Sequence, residues 1–198
     1  MTRPTSKQII LATLVSESLL LALGLCLSLY LGSAPEWKLT FYTVVIGGLM
    51  TIPPFAANVL LWQYSRRSPD SIYNRFSVEV IIPLCQAMTI PTALVVAILS
   101  GICEEFFFRG ALNDLMRIQT TPEVACLVTS IIFAAIHFLG NLKRYGQMIP
   151  LYVVMGCYLW LVHYATESLA CVAITHGLYN FCVIILTKKN STDPKPLR

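Results

Sequence analysis

Apolar residues in this chain come in long blocks separated by short polar joints, each block about long enough to cross a bilayer. The first block covers 9–31, with Glu17 as its lone acid. The second covers 41–64, loosened by Gly47-Gly48 and Pro53-Pro54 and closed by Trp62, Tyr64 and Arg66-Arg67. A polar joint at 65–77 leads to an apolar tract, 78–116, too long for one straight span. Pro91 predicts a break, leaving a helix from about Thr92 to Met116 and room before it for an interfacial or re-entrant helix. Thr121-Pro122 reads as an N-cap followed by a first-turn proline, opening a helix that reaches His137. Lys143-Arg144-Tyr145 precedes a block at 147–164, and the last block, 167–187, ends at Lys188-Lys189. The pattern predicts an all-α polytopic membrane bundle of about six spans. Residues 1–91 would supply N-terminal spans and a loop, 92–187 a core, and 188–198 a disordered polar tail.

Composition excludes an ordinary soluble domain. Hydrophobic residues make up 56% of the chain and charged residues 12%, against roughly 25% charged in globular proteins. The first block exceeds the roughly 7–15 apolar residues of a signal-peptide core and predicts a retained span. The net charge of +4 is small. Eleven of the 14 Lys and Arg fall in the N-terminus, the 65–77 and 140–146 joints and the C-terminal tail, which predicts both termini on the inner side. These residues read as topology signals and contacts to membrane lipids rather than as nucleic-acid binders. The expected location is multi-pass, in the plasma membrane of a bacterium. Seven cysteines fall in apolar stretches without a Cys-x-x-Cys pair and read as small core hydrophobes.

Against this background Glu104, Glu105 and Arg109 stand out, because they sit inside an apolar helix. Facing lipid, three such charges would forfeit roughly 8–10 kcal/mol, comparable to a whole fold's net stability of about 5–15 kcal/mol. Residues four apart share a helix face, so Glu105 and Arg109 form a natural ion pair, while Glu104 points elsewhere and is left for chemistry. His137 follows Phe133 by four, and His176 precedes Asn180 by four, each in another apolar helix. Polar groups at membrane depth turn toward one another or toward water. The simplest packing therefore gathers Glu104, His137, His176 and Asn180 around one wet pocket. A carboxylate beside an imidazole is a general base for water, and a second imidazole with an amide can donate to an oxyanion. Those are the parts for hydrolysing an amide bond. His163 reads as interfacial, Phe106, Phe107 and Phe108 as packing, and Glu17 as a polar helix contact rather than a catalytic acid.

Glu104-Glu105-x-x-x-Arg109, Phe133-x-x-x-His137 and His176-x-x-x-Asn180, in that order, resemble the three motifs of the CAAX prenyl protease and bacteriocin-processing family. These intramembrane glutamic proteases are also called type II CAAX endopeptidases or the Abi family. Arg109-Gly110 and Glu167-Ser168-Leu169 match the flanks, and the resemblance covers about Leu94 to Ile185. It implies a catalytic core in which Glu104 and His137 activate water, His176 and Asn180 hold the oxyanion, and Glu105 and Arg109 orient the site. No cofactor is implied. The expected partner is a peptide or protein substrate, with lipid-modified and leader peptides as candidates. One alternative is a zinc protease of the same architecture, using two His and two Glu, although His-Glu-x-x-His is absent. The other is a non-proteolytic scaffold or transporter-like protein whose buried acids and histidines form a proton path.

Overall fold

The computed structural model describes residues 4–191, and these are helices and short joints without strands. Helix α1, Ser6–Leu31, opens with a capping box in which Thr5 and Gln8 each satisfy the other's backbone N–H, and it stops at Gly32 in the left-handed region. Helix α2, Phe41–Met50, is capped in the same way by Thr40 and Thr43. After Thr51 the chain continues as α3, Ile52–Arg67, with Pro53 and Pro54 tolerated in its first turn, where N–H groups lack intrahelical partners anyway. Short helices α4, Ile72–Phe76, and α5, Ile82–Ala87, are joined by a π turn, Ser77–Ile81.

Helix α6, Ile90–Glu105, passes through a π segment, Phe106–Leu112, into α7, Asn113–Arg117. Helix α8, Pro122–Phe138, begins at the expected Thr121 cap. A short helix α9, Leu142–Tyr145, precedes α10, Ile149–Thr166, and α11 is Leu169–Ser191.

Five helical stretches are long and apolar enough to cross a membrane: Ser6–Leu31, Phe41–Arg67, Ile90–Arg117, Leu142–Thr166 and Leu169–Ser191. The 17 residues of α8 form a shorter apolar helix, about 25 Å long against a hydrocarbon core of about 30 Å. The chain is an all-α integral membrane bundle, as the block pattern predicts. The chain breaks at Met88, which is extended, with Thr89 as the cap. This lies slightly before the expected break, because Pro91 serves the first turn of α6 instead of ending a helix. Lys188, Lys189, Asn190 and Ser191 continue α11, and the rest of the tail expected to be disordered lies outside the described residues.

Contacts sort the joints onto two ends of the bundle. At one end, Ser6 bonds Ala87 O, Lys188 Nζ donates to Met88 O at 2.7 Å, and Arg144 pairs with Glu79 at 2.5 Å. At the other, Leu169 N donates to Glu36 O at 3.1 Å, Ser168 Oγ donates to Lys38 O at 2.9 Å, and Lys38 pairs with Glu167. This two-ended arrangement is compatible with five spans and the shorter α8 running between the same two ends. At the first end the Tyr145 hydroxyl, 2.5 Å from Glu79, holds that carboxyl below the ordinary carboxylate range, and Arg144 adds to the effect.

The centre is the α6–α11 contact. A Cβ added to Gly101 would lie 2.6 Å from Ala173 O, and one added to Gly177 would lie 2.8 Å from Ala97 O. Only glycine lets the two backbones approach so closely. Helix α2 meets α11 similarly, with Thr175 Oγ1 donating to Gly47 O at 3.0 Å.

Candidate active site

Adjacent residues on a helix diverge by roughly 100°, so α6 sends its two terminal acids in different directions. Glu105 enters the protein interior and is 0% exposed. Its Oε1 accepts from Arg109 Nη1 at 3.0 Å and meets His176 Nδ1 at 2.6 Å. Arg109 Nη2 donates to Gly156 O at 3.0 Å, and the guanidinium carbon lies 4.6 Å from the centre of the Phe133 ring. The ion pair expected between Glu105 and Arg109 therefore exists, and His176 joins it from α11.

Glu104 faces the other way, into a cavity of ≈660 Å³ that His137, His176 and Asn180 also line. His137 Nδ1 lies 2.7 Å from Phe133 O. A carbonyl oxygen only accepts, so that nitrogen carries the hydrogen, and in the neutral ring Nε2 keeps its lone pair. Nε2 lies 3.8 Å from Glu104 Oε2, an oxygen with no hydrogen-bond partner among the described groups. Two acceptors that close do not bond each other; one water donating a hydrogen to each would bridge them. The His137 ring is wedged between Phe133 and Tyr152, at centroid distances of 4.6 and 5.0 Å.

Asn180 Nδ2 donates to Ser100 Oγ at 2.9 Å, and that hydroxyl donates to Ala97 O at 3.3 Å. One of the two amide hydrogens of Asn180 is thus held in place and the other is free. His176 presents Nε2 on the side opposite its bond to Glu105.

The structure brings together all six residues singled out from the sequence, as four cavity-lining groups and a supporting pair. Three participants were not anticipated. Ser100 fixes Asn180; its one signal was its place a turn before Glu104. Tyr152 packs on His137 and nothing in its local sequence marks it. Glu17 lines the same cavity at 7% exposure, whereas only a polar helix contact was expected of it. His163, expected at the interface, is half-buried near the end of α10.

Residues 86–182 match the model of a family described as type II CAAX prenyl endopeptidase Rce1-like. This segment belongs to the CAAX protease family. All six residues fall inside it. No curated protein and no solved structure matches the chain. CAAX proteases are membrane endopeptidases, so the substrate class is a peptide or protein. The matched residues include α6 to α10 and the first part of α11, which carry Glu104, His137, His176 and Asn180 of the cavity. Among the described residues no three His, Cys, Asp or Glu side chains are grouped so as to hold a metal ion.

Proposed function

We propose that the chain is an intramembrane glutamic endopeptidase that hydrolyses a peptide bond with water activated by Glu104 and His137. The observation that carries this reading is the 3.8 Å gap between Glu104 Oε2 and His137 Nε2, on residues that line one cavity. A water there donates one hydrogen to each, which directs its lone pair at a carbonyl carbon beside it. As the water oxygen bonds that carbon, the proton passes to Glu104, with His137 accepting the second hydrogen bond.

The oxyanion then takes hydrogen bonds from the free Asn180 hydrogen and from Nε2–H of a protonated His176, whose charge Glu105 balances from behind at 2.6 Å. Arg109 fixes Glu105 in turn. Collapse of the tetrahedral intermediate breaks the C–N bond, and the proton held by Glu104 goes to the departing amine. The products are a new carboxylate and a new amine. The joints rich in Lys and Arg place both termini on the cytoplasmic side of the membrane in this reading, and lipid-modified and leader peptides remain the candidate substrates.

Glu104→Gln keeps the shape of the side chain and removes the base. We expect membranes carrying this variant to retain the peptides that wild type cleaves, with turnover down by about 10²–10⁴-fold and folding unchanged. Terminal-peptide mass spectrometry of the two membranes reads this directly. Full biological function from the variant would instead favour the scaffold or transporter reading. EDTA and phenanthroline should leave wild-type turnover unchanged, whereas loss restored by zinc would replace the metal-free mechanism.

A further inference from the structure

Glu17 is the lone acid of α1 and takes no part in the water-activation scheme. Its Oε1 touches Ser16 Oγ only at 3.5 Å, and among the described residues Oε2 meets no donor although the residue is 7% exposed. Glu17 lines the same ≈660 Å³ cavity as Glu104. Among the described lining residues there is no Lys or Arg, since Arg109 is turned away to Glu105 and Gly156. The wall thus bears two carboxylates, and its one cation in the proposed mechanism, His176, is already balanced by Glu105 from behind. A buried carboxylate oxygen lacking a donor is costly until something supplies one, and Glu104 is already engaged opposite His137. The neighbouring wall is aliphatic: Leu84 and Val96 border both this cavity and a smaller hollow beside Thr13 and Ser16.

We propose that Glu17 is a specificity-determining residue that binds a cationic side chain, Lys or Arg, of a peptide substrate whose neighbouring residues are apolar. This deepens the endopeptidase reading and rests on it. The cationic group meets Glu17 Oε2, its aliphatic stem and neighbours lie along Leu84 and Val96, and the scissile carbonyl is left to Glu104 and His137. A neutral side chain of equal length leaves the carboxylate unsatisfied and binds more weakly.

The test uses the full chain in lipid nanodiscs, with the Glu104→Gln change to prevent turnover. The probes are dye-labelled heptapeptides, Ser-Leu-Leu-Lys-Leu-Leu-Ser and its norleucine and glutamate counterparts, with empty nanodiscs subtracted. With Glu17 present, the lysine peptide should bind at least about tenfold more tightly than the norleucine peptide, a difference one charge-assisted hydrogen bond readily supplies. Adding Glu17→Gln should erase that ratio, and Glu17→Lys should favour the glutamate peptide. Equal binding of the lysine and norleucine peptides, absence of binding by the lysine peptide, or a lysine preference surviving Glu17→Gln would overturn the proposal. If the Glu17 variants fail to fold, the lysine-to-norleucine ratio of the parent decides. Turnover is scored separately on wild type. Cleavage without lysine preference removes only the role of Glu17, and lysine preference without any cleavage removes only the endopeptidase reading.

Discussion

Glu105 is a buried charge held by two donors from different helices, and its second oxygen has no partner among the described groups. Removing Arg109 leaves a carboxylate stranded in the interior, a change that costs about 3–5 kcal/mol for buried pairs. His137 keeps a 30% exposed side chain, so its truncation costs far less. Arg109→Ala should therefore lower the thermal midpoint in detergent or nanodiscs clearly more than His137→Ala, and equal midpoints would contradict the arrangement. Ser100→Ala should act differently, by releasing Asn180 without unfolding anything. We expect kcat to fall by about tenfold, less than the ~10²–10³-fold cost of deleting an oxyanion donor outright, with KM little changed. At this scale the sequence revealed what lies within one helix. Glu105 and Arg109 are four apart, so their pairing was legible. The bond from His176 to Glu105 joins positions on separate helices, and no local spacing encodes it. Glu17 was underrated for the same reason, because most of the cavity wall it joins is built by other helices.

Between elements, small residues decide which backbones touch. Gly47 and Gly48 are neighbours in α2, yet a Cβ on Gly47 would sit 2.7 Å from Cys171 O while one on Gly48 would meet nothing within 4 Å. Gly47→Ala should destabilise the fold by about 1–3 kcal/mol through overpacking. Gly48→Ala should be neutral or stabilising by up to about 1 kcal/mol through helix propensity. Thermal melts of the two variants check the pair. The sequence marked both glycines merely as softening that span. Nor did it announce the π segment Phe106–Leu112, because one extra residue per turn leaves no trace in hydrophobic periodicity. Its effect is visible in contacts: Arg109 reaches Gly156 O, and Asn113 Oδ1 accepts from Trp160 Nε1 at 2.9 Å, two matched rungs one turn apart on α10. The helix start at Thr121 was legible from its cap, whereas the caps at Thr40 and Thr89 emerge only in the structure.

For the molecule as a whole, block lengths and basic joints foretold a membrane bundle, and the contacts of Ser6, Glu79, Arg144 and Lys188 gather joints at one end, with five stretches long enough to span and α8 shorter. The Glu79 cluster gives this end a pH response. Its carboxyl titrates below the ordinary range in the folded protein. The stabilisation is therefore complete above the unfolded carboxylate pKa of about 4.3 and is lost as pH falls through the lower folded value. The midpoint difference between wild type and Glu79→Gln should be present at neutral pH and shrink on acidification below that range. A difference that grows on acidification would reverse the assignment.

The close seam between Gly101 and Gly177 has a consequence for the two neighbouring acids. Turning α6 by a single residue, roughly 100° about its axis, would carry Glu105 to the bearing Glu104 now holds and take Glu104 off the cavity. The seam works like a key in a slot, locking the shaft against that turn. Bulkier residues at either glycine should therefore raise the solvent accessibility of Glu105, even where the helices still assemble.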